Sequence, residues 1–161
     1  MSDNWIIFAS SDPDWTPSER RTVEDARAIL KVAFPSSDGI EYQVYDHYQF
    51  VWNGENFEGV NCPFCKESAD EWWGDSIPDF DNSSSFGDLE IVTPCCSKRT
   101  DLNSLDYPEP VAFAKFEISI MNPDDPRNLS GVHGVAEMPP GLKQKLESCL
   151  RTDLTVVRRR L

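Results

Sequence analysis

Long apolar runs and basic residues are both scarce in this chain of 161 residues. Its longest apolar runs, such as residues 6–9 (IIFA) and 111–114 (VAFA), fall far short of the roughly 20 apolar residues that a membrane-spanning helix needs. Lysines and arginines number 15 against 28 aspartates and glutamates. These shortages argue against a membrane protein and against direct nucleic-acid binding, because an acidic surface repels a phosphate backbone.

The sequence motifs of common enzyme families are also missing. There is no Walker loop, no Gly-rich dinucleotide loop, no Gly-x-Ser-x-Gly elbow and no His-Glu-x-x-His motif. We therefore expect a protein that is not an enzyme.

The first residues, Met1 to Asn4, contain neither the basic segment nor the apolar core of a secretion signal. This predicts a cytoplasmic protein. Disulfides are disfavoured in the cytoplasm, so clustered cysteines there indicate metal binding or redox chemistry.

The formal net charge of −13 is unevenly distributed. Residues 1–61 carry −7, residues 62–110 carry −8 and residues 111–161 carry +2. Such a body would attract a basic protein partner. Acidity can also serve only to keep a protein in solution.

The N-terminal part predicts the order strand, helix, strand. Residues 5–8 form a short apolar run that suits a buried strand. Thr16, Pro17 and Glu19 match a capping box, which predicts a helix that begins after Thr16. Residues 40–45 alternate between apolar and polar side chains, as a half-buried strand does.

The C-terminal part predicts the same order. Residues 111–120 suit a strand with a bulge near Ala114, where the parity of the apolar residues changes. Leu142, Leu146, Cys149 and Leu150 share one helical face, and a last strand begins at Leu154.

We therefore predict an α+β fold in a single domain, residues 1–161. Two β-α-β units, residues 4–46 and 111–161, would form a ferredoxin-like antiparallel sheet with both helices on one face. Residues 47–110 would be a zinc-ribbon hairpin module inserted between them.

The predicted module begins with a hairpin. Asn53-Gly54 separates residues 48–52 from residues 57–60, which is a strong hairpin signal. A second strand at residues 89–92 leads to the later cysteines. The stretch between the two cysteine pairs predicts a short helix around residues 67–73 and a serine-rich loop at residues 83–85.

Four cysteines of the middle segment are the predicted metal ligands. Zn²⁺ prefers a tetrahedron of thiolates, and the spacing of Cys62 and Cys65 aims both sulfurs at one point. Cys95 and Cys96 are adjacent, so both reach the same ion only if the chain turns sharply after Pro94. Four thiolates leave no position for water, which predicts a structural Zn²⁺.

Other ligand sets stay open at this point. Three of the cysteines can combine with His47, His133 or an acidic group, or the cysteines can bind no metal. A redox dithiol of Cys62 and Cys65 is a further alternative, although thioredoxin-type sites place such a pair between a strand and a helix.

Three short motifs between residues 60 and 120 resemble those of a group of small uncharacterised bacterial proteins with an embedded four-cysteine zinc ribbon. They are Cys62-Pro63-Phe64-Cys65, Pro94-Cys95-Cys96 and Leu102-Asn103-Ser104-Leu105-Asp106-Tyr107. The resemblance implies metal binding and little more. Those proteins tend to carry glycine after the double cysteine, where this chain has Ser97.

The predicted partner-binding residues are Asp70, Glu71, Trp72, Trp73 and Asp75. A tryptophan beside acidic groups suits a basic partner, and we expect one ring to cover the metal module and the other to be exposed. The sequence thus predicts a zinc-stabilised, acidic protein-binding module, such as an inhibitor or immunity-type partner of a basic toxin or nuclease.

Two other functions are less favoured by the sequence. A redox protein or an uncharacterised enzyme would use Cys62 and Cys65. A zinc ribbon can also belong to a nucleic-acid-associated regulator, but only three of the residues 62–110 are basic.

Overall fold

The computed structural model describes residues 3–76, 85–86, 88–123 and 138–161. Its strands and helices, in chain order, are β1 (Asn4–Ser10), α1 (Arg20–Ala33), β2 (Gly39–Val51), α2 (Asp70–Ser76), β3 (Ser85–Phe86), β4 (Glu90–Val92), β5 (Arg99–Asp101), β6 (Ala112–Met121), α3 (Leu142–Leu150) and β7 (Leu154–Arg160). A single 3-10 turn (Leu102–Ser104) follows β5. His133 and most of the predicted serine-rich loop lie outside the described residues.

The structure confirms an α+β fold with an antiparallel sheet. The strand order in the main sheet is β3-β2-β6-β1-β7, and each neighbouring pair is antiparallel. β4 and β5 form a separate two-stranded hairpin.

The two long helices cover one face of the main sheet and contact each other. The apolar residues of α1 recur on one helical face, so Val23, Ala26 and Leu30 are all buried. We call the buried residues between the helices and the sheet the sheet cluster. It consists of Ile6, Phe8, Val23, Ala26, Leu30, Phe34, Ile40, Phe116, Ile118, Ile120, Leu142, Leu146, Leu150 and Leu154.

The predicted start of α1 is wrong. The residue before the helix is Glu19 rather than Thr16, and its side chain makes no capping hydrogen bond. Trp15 packs edge-on against Phe116, with ring centroids 5.1 Å apart. The contact of this half-buried ring with the sheet fixes the chain immediately before Thr16, and the helix begins only at Arg20.

The predicted hairpin at Asn53-Gly54 is also wrong. β2 is one strand through Val51, and the chain turns at Gly54, whose φ of 65° suits glycine. The following residues do not return along β2. Instead the N–H of Glu55 donates to the carbonyl of Arg160 (2.8 Å), which lies on the free edge of β7. An edge strand offers unpaired backbone groups, and here they compete successfully with the hairpin.

The predicted strand at residues 111–120 is confirmed as β6. The predicted bulge near Ala114 corresponds to an irregularity that lies mainly on the neighbouring strand, β2. The pairing of β2 with β6 shifts register between Val44 and Gln49, whose partners are Phe116 and Ala114. Four residues of β2 therefore face one residue of β6, which bends the sheet at this point.

Among the described residues no helix combines the length and the apolar character that crossing a bilayer requires.

Candidate metal centre

The structure brings Cys62, Cys65, Cys95 and Cys96 together. Their four Sγ atoms all lie within 4.8 Å of one another. Sγ of Cys62 is 4.0 Å from that of Cys96, and Sγ of Cys65 is 3.6 Å from that of Cys95. A tetrahedron with metal–sulfur bonds of about 2.3 Å has edges of about 3.8 Å, so these sulfurs have the spacing of a tetrathiolate metal site.

Each cysteine pair lies at the tip of a short hairpin. In the first hairpin, the N–H of Cys62 donates to the carbonyl of Glu67 (2.9 Å) and the N–H of Lys66 donates to that of Cys62 (3.0 Å). The base of this hairpin is closed by a bond from the N–H of Ala69 to the carbonyl of Val60 (2.8 Å).

The second hairpin, β4–β5, repeats this bonding pattern. The N–H of Thr93 donates to the carbonyl of Lys98 (2.9 Å), and the N–H of Ser97 donates to that of Thr93 (2.7 Å). Thr93 therefore holds the place in its turn that Cys62 holds in the first. The two turns have the same backbone bonds but share only one of their two sulfur positions.

Both turns end in a left-handed residue. Lys66 has a φ of 65° and Ser97 a φ of 54°. This conformation costs an ordinary side chain roughly 1–2 kcal/mol and costs glycine nothing. Ser97 thus adopts the backbone conformation that glycine would favour after the double cysteine.

The matching of the turns explains how adjacent cysteines reach one site. Cys96 corresponds to Cys65, the fourth residue of its turn, whereas Cys95 corresponds to Phe64, the third. Thr93, at the first place, is fully buried, and its Oγ1 is 3.3 Å from the N–H of Lys98. The sequence pattern does not single out Thr93 by chemistry, although residues 93–97 (TPCCS) align with residues 62–66 (CPFCK).

The surroundings of the thiols shift their pKa values in opposite directions. Desolvation opposes ionisation of Cys62, but N–H groups of Cys65 and Phe64 and contacts with neighbouring thiols outweigh it and lower the Cys62 pKa to about 6. Desolvation and neighbouring thiols raise the pKa of Cys95 to about 12, and a contact with Cys65 raises that of Cys96. Adjacent thiolates repel each other, so the first ionisation hinders the next. A bound cation would remove this repulsion.

A second hydrophobic cluster supports the two hairpins. We call it the module cluster, and it consists of Phe50, Val60, Ala69, Trp73, Leu89, Leu102, Leu105, Val111 and Phe113. Trp73 stacks on Phe57 (ring centroids 5.0 Å apart) and contacts Phe50 edge-on (5.8 Å). Its Nε1 donates to the hydroxyl of Tyr107 (3.1 Å), which donates to the carbonyl of Leu102 (2.7 Å).

The motif of residues 102–107 joins this cluster to β6. The side-chain amide of Asn103 donates to the carbonyl of Phe113 and its oxygen accepts from the N–H of Phe113, both at 2.9 Å. The backbone of Asp106 exchanges two hydrogen bonds with Asn61, next to Cys62. This motif therefore fixes the first hairpin relative to the main sheet.

The predicted partner-binding residues do not share one environment. Trp73 is buried in the module cluster and Trp72 is half-buried against it. Asp70 accepts a hydrogen bond from the N–H of Val60 (3.0 Å). Asp70, Glu71 and Asp75 are exposed, so the acidic groups rather than the Trp73 ring are accessible to a partner.

Within the described part of the chain, the metal-ligand cluster contains no histidine and no carboxylate. His47 instead contacts Asp46 on β2. Among the described residues, these four cysteines are the group whose ligand atoms are close enough to hold one metal ion.

Comparisons of the chain with models of protein families, with curated proteins and with solved structures give no match.

Proposed function

We propose that this chain is a zinc-stabilised, acidic protein-binding module, and that Cys62, Cys65, Cys95 and Cys96 hold a structural Zn²⁺. The observation that carries this proposal is the set of four sulfurs with tetrahedral spacing. An all-thiolate tetrahedron suits Zn²⁺ and fills its coordination sphere. The metal then stabilises the fold and leaves no coordination position for a reacting water.

The proposed architecture is a ferredoxin-like sheet with an inserted zinc ribbon. The order of the long strands, β2-β6-β1-β7, with α1 and α3 on one face, supports two interleaved β-α-β units. Residues 47–110 would then be the insertion between units 4–46 and 111–161, within a single domain.

Elemental analysis of the purified chain tests the metal. We expect one zinc per chain and none after Cys62→Ser. Cys149→Ser is the matched control, because Cys149 lies on α3, where its Sγ faces the carbonyl of Thr22 (3.7 Å), and its loss should leave the zinc content unchanged. A chain without metal and with reactive thiols at Cys62 and Cys65 would favour the redox alternative instead.

The charge of the chain indicates the chemistry of the partner. The net charge is −13, and four thiolates with one dication would lower it by a further two. A basic protein, such as a toxin or nuclease that this chain inhibits, would be attracted to such a surface. The exposed acids of α2, Asp70, Glu71 and Asp75, are the proposed contact residues.

Binding to purified basic nucleases at increasing salt concentration tests the partner class. We expect an affinity that falls with salt, and a loss of affinity in the double variant Glu71→Lys/Asp75→Lys. Glu109→Lys is the control, because it also reverses an exposed charge but lies outside α2 in the sequence. Absence of salt-dependent binding, or an equal loss in the control, would contradict a partner site on α2.

A further inference from the structure

The metal centre has a buried side and an exposed side. Cys62 is fully buried and Cys96 is half-buried, whereas Cys65 and Cys95 are exposed. The two exposed sulfurs are also the closer of the two measured pairs, at 3.6 Å against 4.0 Å.

The position of Cys95 in its turn accounts for this asymmetry. The first place of the turn is buried, and in the first hairpin it holds Cys62. In the second hairpin that place holds Thr93, so the sulfur comes from the third place. That place corresponds to Phe64 in the first turn, and its side chain is also exposed. The second turn therefore contributes one sulfur from an exposed position.

We propose that Cys65 and Cys95 form a site of oxidative modification, at which a peroxide oxidises them to a disulfide and the metal ion leaves. This inference rests on the proposed zinc site. Peroxides oxidise the thiols that they can reach, and of the four cysteines Cys65 and Cys95 are the exposed ones.

The chemistry needs one peroxide for each disulfide. One thiolate attacks the peroxide and becomes a sulfenic acid, while the other peroxide oxygen leaves as water. The second thiolate then displaces hydroxide from the sulfenic acid, which forms the S–S bond. In total, two thiolates, one hydrogen peroxide and two protons give one disulfide and two waters.

The sulfurs need to approach only a short distance. A disulfide bond is about 2.05 Å long, so Cys65 and Cys95 must close a gap of about 1.5 Å. Cys62 and Cys96 would then be left as the remaining ligands, and two thiolates do not complete a tetrahedral zinc site.

Titration of the zinc-loaded chain with hydrogen peroxide tests this inference. A colorimetric chelator would follow zinc release, and peptide mass spectrometry would map the disulfides. We expect zinc release in step with a Cys65–Cys95 disulfide, reversed by dithiothreitol and added zinc. A first disulfide that contains Cys62, or zinc that stays bound at full oxidation of Cys65 and Cys95, would overturn it.

A double variant tests whether the exposed position of Cys95 makes the site sensitive to peroxide. Thr93→Cys with Cys95→Phe converts the second turn to Cys-Pro-Phe-Cys, the sequence of the first, and moves the ligand to the buried place. We expect this variant to keep its zinc and release it to peroxide several-fold more slowly than the native chain. Equal release rates would contradict the role of Cys95. If the variant fails to fold, the disulfide map of the native chain decides alone.

The metal content before oxidation separates this inference from the proposed function. A chain that contains no zinc contradicts the zinc site, and the disulfide map of that metal-free chain still shows whether Cys65 pairs with Cys95. A zinc-loaded chain with any other first disulfide contradicts the inference alone. Cys149→Ser is again the control and should leave both readouts unchanged.

Discussion

The sheet cluster lies between two helices and strands of seven to thirteen residues. The module cluster instead joins the ends of β2 and β6 to strands of three residues and a helix of seven. The first is built largely from aliphatic side chains, and the second is centred on the rings around Trp73. A two-stranded hairpin is marginally stable by itself in water. The two regions should therefore respond differently to removal of metal and to loss of core side chains.

Metal removal should separate the two regions most clearly. We expect Cys62→Ser, or chelation of the native chain, to abolish metal binding and to open both cysteine hairpins, because metal binding and folding are coupled in such small units. Hydrogen exchange should then accelerate in the amides of β4 and β5 and stay slow in those of β1 and β6. Acceleration throughout the chain would mean that the regions do not fold separately.

Lowering the pH should also release the metal, because protons compete for the thiolates.

A core substitution in the sheet should lower the global stability of the chain and leave its metal content unchanged. Phe116 is fully buried in the sheet cluster and contacts Trp15. We expect Phe116→Ala to lower the free energy of unfolding by about 3–5 kcal/mol, measured by urea denaturation. The folded variant should keep its full metal content. Loss of metal before global unfolding would show that the sheet directly shapes the metal site.

A hydrogen-bond deletion tests the support of the module. Trp73→Phe keeps an aromatic ring among its neighbours but removes the bond from Nε1 to the hydroxyl of Tyr107. We expect the free energy of opening the module to fall by about 1 kcal/mol. It should appear as faster exchange in the module rather than in the main sheet, and an equal change in both would contradict local support.

A pH-dependent contribution belongs to the sheet region. The Glu147 carboxylate accepts a hydrogen bond from the N–H of Leu154 (2.8 Å) and contacts Lys143 (3.1 Å), and these lower its pKa below its usual value despite some desolvation. Its stabilising effect is therefore present above the pKa of the unfolded chain and is lost as the pH falls through the folded pKa. We expect Glu147→Gln to lower the free energy of unfolding by about 1 kcal/mol near neutral pH and to leave it unchanged in strong acid. Urea denaturation at several pH values measures this difference. A constant deficit at all pH values would contradict this assignment.

The smallest expected effect is a gain of stability in the second turn. Ser97 has a positive φ, so Ser97→Gly should relieve backbone strain and stabilise the metal-loaded chain by about 0.5–1 kcal/mol, measured by thermal unfolding. Ser148→Gly is the matched control. Ser148 is exposed inside α3, where replacing serine by glycine should cost about 0.5 kcal/mol. The same sign for both substitutions would contradict the argument from the left-handed turn.

Periodicity and residue chemistry predicted the elements whose energetics are local. The buried stripe of α1, the strand β6 and the stripe of α3 follow directly from the spacing of apolar residues. The predictions failed where a distant group competed with a local signal. The contact of Trp15 with the distant Phe116 replaced the capping box at Thr16, and pairing with the edge of β7 replaced the hairpin at Asn53.

For the candidate metal site, too, sequence and tertiary structure determined different features. The sequence by itself indicated four thiols as candidate metal ligands, because thiolates suit Zn²⁺, but it left other ligand sets and a redox pair open. Only the tertiary structure decided where each sulfur lies. The hydrogen bonds within each turn assign Thr93 to the first place and Cys95 to the third. In the folded chain the first place is buried and the third is exposed. Adjacent cysteines can reach one site because the turn, rather than their spacing in the sequence, sets the direction of each side chain.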